Sequence, residues 1–366
     1  MTARRHLLVM AAGTGGHVIP GLAVASEMQR RGWNVSWLGT YSGLENKLVP
    51  AAGIALDRVA FNGLRGKGLF GNLLGAVRLL LAFPACARII ARRRVDAVLG
   101  MGGYLCFPGG WMARLRGKPL LLVNADAKLL LSNKTLLPAA RRIAFGFDGA
   151  SAAGLGGSRH KGVVTGNPVR ADIEGIADPR QRFIGRKGPL KLLVVGGSLG
   201  ARALNQCLPQ AIGQMKPAQR PRVVHQTGAA NEATVRAAYE KAGVAAEVLP
   251  FIDNMAVRLS DCDVIVCRAG AITVSELCAA GVAAVLVPFV ASTTSHQRDN
   301  AAWLASHDGG IHLEQSELSP ARMADLLANL TREELLTMAI RARSLARPHA
   351  AARVADEIEQ MVKAAS

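Results

Sequence analysis

Aromatic residues are scarce in this chain, 4% of 366 residues, with only three Tyr and four Trp. Nucleic-acid binders stack bases on aromatic side chains, and no recognition motif stands in for them here, so a nucleic-acid partner is disfavoured. The six cysteines (86, 106, 207, 262, 267 and 278) stand singly among apolar neighbours with no CxxC pair. That pattern excludes a zinc ribbon and predicts buried free thiols in a reducing compartment. No uncharged apolar run approaches the ~20 residues that span a bilayer. The opening Arg4 to Ala12 has the basic-then-apolar order of a leader. Its apolar run is short, however, and leads straight into Gly13-Thr14-Gly15-Gly16, so a first strand is the expectation. These readings place the protein in the cytosol or peripherally on a membrane.

Acid is missing where a nicotinamide enzyme needs it. A dinucleotide-binding unit carries GxGxxG and an Asp or Glu at the end of its second strand. The first glycine turn has Val18 in the sixth position, and the strand Asn34 to Leu38 ends in Gly39-Thr40. The corresponding strand of the second half, Arg222 to His225, ends in Gln226-Thr227-Gly228.

What the chain does have is glycine, 39 residues of it, placed repeatedly where an apolar run gives way to a helix. Val264 to Phe289 is the clearest case. Val264-Ile265-Val266 reads as a strand, Gly270 permits a turn, Thr273 to Ala280 is helix-length, Gly281 stops it, and Val282 to Val287 resumes a strand. This is one βαβ unit of a buried parallel sheet, and its helix N-terminus suits a phosphate. Glu276 has two readings. It can face a polar ligand over the turn, or it can close a capping box, Thr273-Val274-Ser275-Glu276.

The same pattern opens both halves: Leu7 to Ala11 before Gly13-Thr14-Gly15-Gly16, and Leu192 to Val195 before Gly196-Gly197-Ser198. Between them, Ala97 to Leu99 leads into Gly100-Met101-Gly102-Gly103-Tyr104, and Leu120 to Val123 is followed by Asn124 and Asp126. Gly166-Asn167-Pro168 breaks the rhythm, and the polar run through Lys191 reads as an interdomain linker. Two similar αβα halves imply a cleft between them, with glycine loops facing it from both sides. The C-terminal part is helical, with a capping box at Thr331-Arg332-Glu333-Glu334. Pro348 opens a last amphipathic helix bearing Val354, Ile358 and Met361.

Charge is distributed unevenly. The formal net charge is +18, and Arg65 to Arg142 holds fourteen Lys and Arg against Asp96 and Asp126, a net +12. Within it, Leu69 to Arg94 mixes Leu69, Phe70, Leu73, Leu74 and Leu81 with Arg78, Arg88 and the run Arg92-Arg93-Arg94. Such a basic, apolar surface suits anionic lipid, with Trp111 a further candidate contact. The Asp261-Cys262-Asp263 triplet mimics a metal-binding DxD but precedes a strand, and is read as structural.

Five motifs in order carry a resemblance. They are Gly13-Thr14-Gly15-Gly16-His17, Gly102-Gly103-Tyr104, Gly166-Asn167-Pro168-Val169-Arg170, Gly196-Gly197-Ser198 with Ala201-Arg202 and Asn205, and Cys267 to Glu276. Together they resemble the MurG family, bacterial GT-B glycosyltransferases that move N-acetylglucosamine from UDP-GlcNAc onto lipid I to form lipid II.

The resemblance implies an α/β GT-B architecture of two Rossmann-like αβα domains. Residues 1–168 would bind acceptor and membrane, with a C-terminal helix 348–366 packing back on them, and residues 169–347 would bind the donor. By similarity, UDP-GlcNAc contacts are expected from Thr14, Gly15, Gly16, Asn124, Asp126, Arg170, Ser198, Ile252, Ala271, Ile272, Thr273, Val274, Ser275, Glu276 and Gln297. Among them Glu276 would hold the ribose hydroxyls and Ile252 would line the uracil pocket. Gly13, Gly102, Gly103 and Tyr104 would meet the acceptor diphosphate. His17 is the first candidate for the base, with substrate binding or helix capping as its other role. The family needs no cofactor or metal. The implied partners are UDP-GlcNAc, lipid I, an anionic membrane surface at the cytoplasmic face of the inner membrane, and other cell-wall synthesis proteins.

This chain departs from the family where His-Glu-Gln-Asn is usual, having Val123-Asn124-Ala125-Asp126. Asp126 either replaces the missing glutamate, which would give it a catalytic role, or fills the asparagine's place. Leu199 replaces a glutamine, and Cys106-Phe107 replaces small residues. Two other GT-B activities compete: a UDP-sugar epimerase, which has no use for the basic apolar face, and a membrane glycolipid synthase, which has none for a diphosphate loop at Gly102-Gly103-Tyr104.

Overall fold

The computed structural model describes residues 4–13, 15–61, 68–149, 154–197, 199–289 and 296–364, with only the backbone described for 68–73. The chain forms two compact units, one running to Val169 and resuming at His349, the other Arg170–Pro348. Both are doubly wound α/β layers, as the alternation of apolar runs and helical patterns predicts.

The first unit contains β1 (His6–Ala11), β2 (Asn34–Gly39), β3 (Ala55–Arg58), β4 (Ala97–Gly102), β5 (Leu120–Asn124), β6 (Arg142–Phe145) and β7 (Gly162–Val164). They lie in the order β3-β2-β1-β4-β5-β6-β7, every pair parallel. The strand order therefore reverses between β1 and β4, and the glycine loops after these two strands open at that switch point, where ligands bind in such sheets.

The second unit repeats the scheme with β8 (Lys191–Val195), β9 (Arg222–Gln226), β10 (Ala246–Leu249), β11 (Val264–Cys267), β12 (Ala283–Leu286) and β13 (Ile311–His312). The order is β10-β9-β8-β11-β12-β13, again all parallel, with the reversal between β8 and β11. The loops after these two strands are the remaining two glycine turns. All six cysteines are buried and free. Burial pushes the Cys262 and Cys267 thiols up to about 12.

The last helix, Ala350–Lys363, completes the first unit. Val354, Ile358 and Met361 are buried in one cluster with Val18, Val24 and Met28 of the helix Gly15–Arg30. Arg31 fastens its polar edge to Asp356 at 2.7 Å and Glu359 at 3.2 Å. The capping box at Thr331 and Glu334 is present in both directions.

The supposed linker is part of the second unit. Short helices Ala171–Glu174 and Pro179–Phe183 occupy it, Ile173 and Ile176 are buried, and Arg182 reaches the carbonyls of Leu259, Ser260 and Ala280. One guanidinium thus answers unpaired carbonyls at the ends of two helices, a role that polar composition alone does not reveal. Arg186 works beside it. Its Nη1 pairs with Asp263 at 2.6 Å, while the same carboxylate accepts from Arg332 at 3.2 Å and from the Lys191 backbone at 2.9 Å. The acid of the DxD-like triplet is therefore spent on the fold. Asp263→Ala leaves two guanidiniums without their shared anion and should destabilise the second unit by about 3–5 kcal/mol. The check is urea unfolding, and the loss should be the same with Mg²⁺ or EDTA.

Candidate active site

The loop after β11 ends at Gly270, the N-cap of the helix Ala271–Ala280, whose side-chain-free cap leaves the first-turn N–H groups without a side-chain partner. Such a terminus favours an anion through both N–H donors and the helix dipole. Because the helix starts at Ala271, two residues before the sequence pattern suggests, Glu276 is its sixth residue and cannot be the N3 member of a capping box. It pairs instead with Arg170 Nε at 3.3 Å. Burial raises the Glu276 pKa, opposed by the charge and hydrogen bond of Arg170 and reinforced by Asp172. A half-buried carboxylate beside a helix N-terminus is suited to accept bonds from paired hydroxyls.

The walls of this loop are anchored from behind. Asn300 Nδ2 donates to Ala269 O at 3.1 Å, and Arg268 Nη1 to Val287 O at 3.0 Å, with its guanidinium over the Phe289 ring. Gln297 Oε1 accepts from Phe289 N at 2.9 Å, so its acceptor shapes the loop. Ala271, Ile272 and Thr273 occupy the first turn and Ser275 bonds back to Ala271 O, whereas Val274 is fully buried and serves packing. Ser198 lies outside the described residues. Its neighbours Gly197 and Gly200 have φ of +87° and +77°. A Cβ at Gly200 would fall 1.8 Å from Thr227 O, so only glycine permits this approach. Ile252 is buried, and its N–H donates to Gln226 Oε1 at 3.2 Å.

In the first unit, the loops after β1 and β4 close on His17. A Cβ on Gly102 would meet the His17 ring at 2.5 Å, and one on Gly103 would meet Ala12 O at 3.1 Å. Gly102 is thus required by the imidazole that fills its space. His17 Nδ1 is enclosed without a hydrogen-bond partner. Burial lowers the His17 pKa, opposed by the Asp126 charge and by the Ala12 backbone, so the ring is neutral at pH 7. This is the state a proton acceptor needs.

Three residues take roles that their types did not signal. Glu45, fully buried, accepts from Gly13 N at 3.0 Å, Thr40 N at 3.1 Å and Thr40 Oγ1 at 2.8 Å. The Gly13 N–H, expected to meet a diphosphate, is therefore committed inside the protein, and Gly15 and Gly16 are left as the turn's helix-opening residues. Thr14 lies outside the described residues. Asn124 is also fully buried. Its Nδ2 donates to Asp126 O at 2.8 Å and Lys128 O at 3.0 Å, and its Oδ1 accepts from Leu130 N at 2.9 Å and Asn133 Nδ2 at 3.1 Å. All four of its hydrogen-bonding positions are used, so it folds the turn that carries Asp126. Gln226 is the third, and no signal beyond a polar residue at a strand end marked it. Tyr104 is exposed at the rim of the second loop.

Of the apolar, basic set, Leu74, Val77, Arg78, Leu81 and Arg88 form one exposed stripe of the helix Gly68–Arg92, at helical spacing. Ala82, Cys86, Ile89 and Ile90 on its other side are buried in the unit's core. The side chains of Leu69, Phe70 and Leu73 lie outside the described residues. Trp111 packs half-buried against the same core. By length and composition alone, Leu74–Arg92 is long and apolar enough to cross a membrane. Arg93 pairs with the buried Asp57 at 2.8 Å and Arg92 shares that partner, so part of the basic run belongs to the fold.

Two all-parallel doubly wound units, each with glycine turns at its switch point, and in the second an open helix N-terminus with Glu276 of that helix paired to Arg170, are the features of a glycosyltransferase of the GT-B class. The chain matches the glycosyltransferase family 28 N-terminal domain over residues 7–145 and the family 28 C-terminal domain over 191–360. It is 64% identical to the UDP-N-acetylglucosamine--N-acetylmuramyl-(pentapeptide) pyrophosphoryl-undecaprenol N-acetylglucosamine transferase of Methylibium petroleiphilum, over 98% of each chain. The enzyme of the same name from Chromobacterium violaceum is 60% identical over 98% of this chain and 99% of that one. The crystal structure of Acinetobacter baumannii MurG superposes with a TM-score of 0.84 at 36% identity, covering 97% of this chain and 99% of that one. The protein belongs to the MurG family within glycosyltransferase family 28.

Glu276→Ala should weaken UDP-GlcNAc binding about tenfold or more, because Arg170 then loses its partner and the bound hydroxyls their acceptor. Calorimetry on the wild type should also show affinity falling as acidification protonates Glu276, at a pH above the ordinary carboxylate range. Unchanged binding in the variant would remove Glu276 from the site.

Proposed function

We propose that this protein transfers N-acetylglucosamine from UDP-GlcNAc to the 4-hydroxyl of the MurNAc residue of lipid I, with inversion at the anomeric carbon. The product, lipid II, supplies peptidoglycan synthesis and so cell shape and division. The observation that carries this reading is the open N-terminus of the helix Ala271–Ala280, with Glu276 on its face and Arg170 beside it. Its N–H groups receive the diphosphate, Glu276 accepts from the ribose, and Arg170 faces the charge that develops as UDP leaves. Preorganised donors of this kind need no metal to stabilise a departing diphosphate.

The first unit supplies the acceptor side. The hydroxyl oxygen forms a bond to the anomeric carbon as the bond from that carbon to the β-phosphate oxygen breaks. The hydroxyl proton passes to the neutral His17 ring, and Asp126 stabilises the imidazolium so formed. Gly102 and Gly103 bring the loop backbone close to that centre, with Tyr104 at its edge.

The test is transfer of labelled GlcNAc to a short-chain lipid I analogue in EDTA. Wild type should turn over. His17→Ala should lose about 10²–10⁴ in kcat, the span that a positioned base contributes, and Asp126→Ala should lose less. Since burial lowers the His17 pKa, the acid limb of wild-type kcat should fall below pH 6.5 and vanish in His17→Ala. No transfer with intact donor binding would favour an epimerase or another acceptor.

The exposed stripe of Gly68–Arg92 supports peripheral attachment to an anionic bilayer at the cytoplasmic face of the inner membrane, near other cell-wall synthesis proteins. Leu74 and Leu81 would insert shallowly while Arg78 and Arg88 meet headgroups. Leu74→Asp with Leu81→Asp should abolish cosedimentation with phosphatidylglycerol vesicles and leave UDP-GlcNAc affinity unchanged. Retained cosedimentation would place the membrane contact elsewhere.

A further inference from the structure

Gln226 closes β9 and is almost wholly buried, with 2% of its surface exposed. Its amide spans two loops that belong to different strands. Nε2 donates to Gly197 O at 2.9 Å, in the glycine turn after β8, and Oε1 accepts from Ile252 N at 3.2 Å, in the segment after β10. The two residues that follow it reinforce the same bridge. Thr227 N donates to Leu249 O at 3.0 Å and Gly228 N to Pro250 O at 3.1 Å. On the other side, Gly200 presses on Thr227 O, and a Cβ on Gly228 would lie 2.5 Å from the Leu199 carbonyl carbon. The segment 226–228 is therefore wedged between the two loops and fixes their spacing.

The support behind this wedge is polar and buried. Asn205 Nδ2 donates to Thr227 O at 3.1 Å, its Oδ1 meets His225 Nε2 at 3.1 Å, and His225 Nδ1 meets the Tyr239 hydroxyl at 3.0 Å. His225 and Tyr239 are buried, so removing one partner strands another polar group without water. A chain of this kind resists small displacements of the segment it holds.

We propose that Gln226 is a positioning residue that couples uracil recognition to diphosphate binding. The inference rests on the donor-site reading above, in which Ile252 lines the base pocket and the turn at Gly197 faces the phosphates. One amide then holds both ends of a nucleoside diphosphate site at a set separation. The oxygen arm orients the Ile252 backbone toward the base, and the nitrogen arm orients the glycine turn toward the phosphates.

The two arms can be cut separately. Gln226→Met removes both. Gln226→Glu keeps an oxygen for the Ile252 N–H but sets a second carboxylate oxygen against Gly197 O. Calorimetric titration with UDP and with CDP, beside Glu276→Ala as a control for the site itself, reads the result. In Gln226→Met, UDP affinity should fall about 10–100-fold, the cost of losing two buried bonds, and the preference for UDP over CDP should collapse. In Gln226→Glu, UDP affinity should fall but the preference should persist. In turnover assays both variants should raise the KM for UDP-GlcNAc far more than they lower kcat.

Equal loss of UDP and CDP affinity in both variants, tracking a lower Tm, would reduce Gln226 to a fold-stabilising residue and overturn the proposal. So would wild-type UDP affinity in Gln226→Met. If Glu276→Ala also binds UDP as wild type does, the donor-site reading itself has failed, a result distinct from failure of the Gln226 bridge alone.

Discussion

Every strand in both sheets runs parallel, so each sheet delivers all its strand ends, and the backbone N–H groups of the turns that follow, to one edge. An N–H in such a turn has no partner in the sheet and must be answered by a side chain, by another loop or by a ligand. This accounting separates loops that the protein closes for itself from loops that it leaves open. Glu45 answers Gly13, and Gln226 answers Ile252. The helix that begins at Ala271 has no side-chain cap. Glycine is the device that makes the arrangement possible, because only a residue without Cβ lets Gly200 rest on Thr227 O and lets the His17 ring occupy the space beside Gly102.

Burial shifts two titratable groups in opposite directions. For His17 the charged form is the one disfavoured, which lowers its pKa and keeps the ring unprotonated. For Glu276 the charged form is again disfavoured, which raises its pKa, but Arg170 restores part of the balance. The carboxylate is thus held as the partner of a guanidinium and not as a free anion beside the N-terminus of the helix Ala271–Ala280. Without the guanidinium, the same burial would raise the Glu276 pKa further.

The fold was legible because apolar β-branched runs recur with glycine turns and stops after them, and parallel sheets buried on both faces give little else to read. The glycine turns could be placed on the ends of β1, β4, β8 and β11 from that rhythm alone. Of the two readings of Glu276, the capping box failed by two residues, since sequence cannot decide whether a helix begins at Ala271 or Thr273 when both lie in a glycine-led turn. The polar run before Lys191 was misread for a different reason. Composition marks it as solvent-facing, yet Arg182 and Arg186 spend their charge on buried carbonyls and on Asp263. Glu45 and Gln226 escaped as site-shaping residues because they bond backbone atoms of loops distant in sequence, and Asn124, expected to touch the donor, instead holds together the turn that follows it; no residue pattern records either arrangement.

The same distinction governs the basic excess. Arginines that cap helix ends or share Asp57 and Asp263 are ligands of the protein's own groups, and part of their charge is answered within the protein. Arg92 and Arg93 fall in this class, although their place in a run of three made them look like the obvious surface charge. Arg78 and Arg88 stand among exposed Leu74, Val77 and Leu81 on one helical stripe. Net charge overstates what a surface offers to a bilayer, and the stripe, with its alternation of insertable and cationic side chains, is the part of the excess whose geometry suits headgroups.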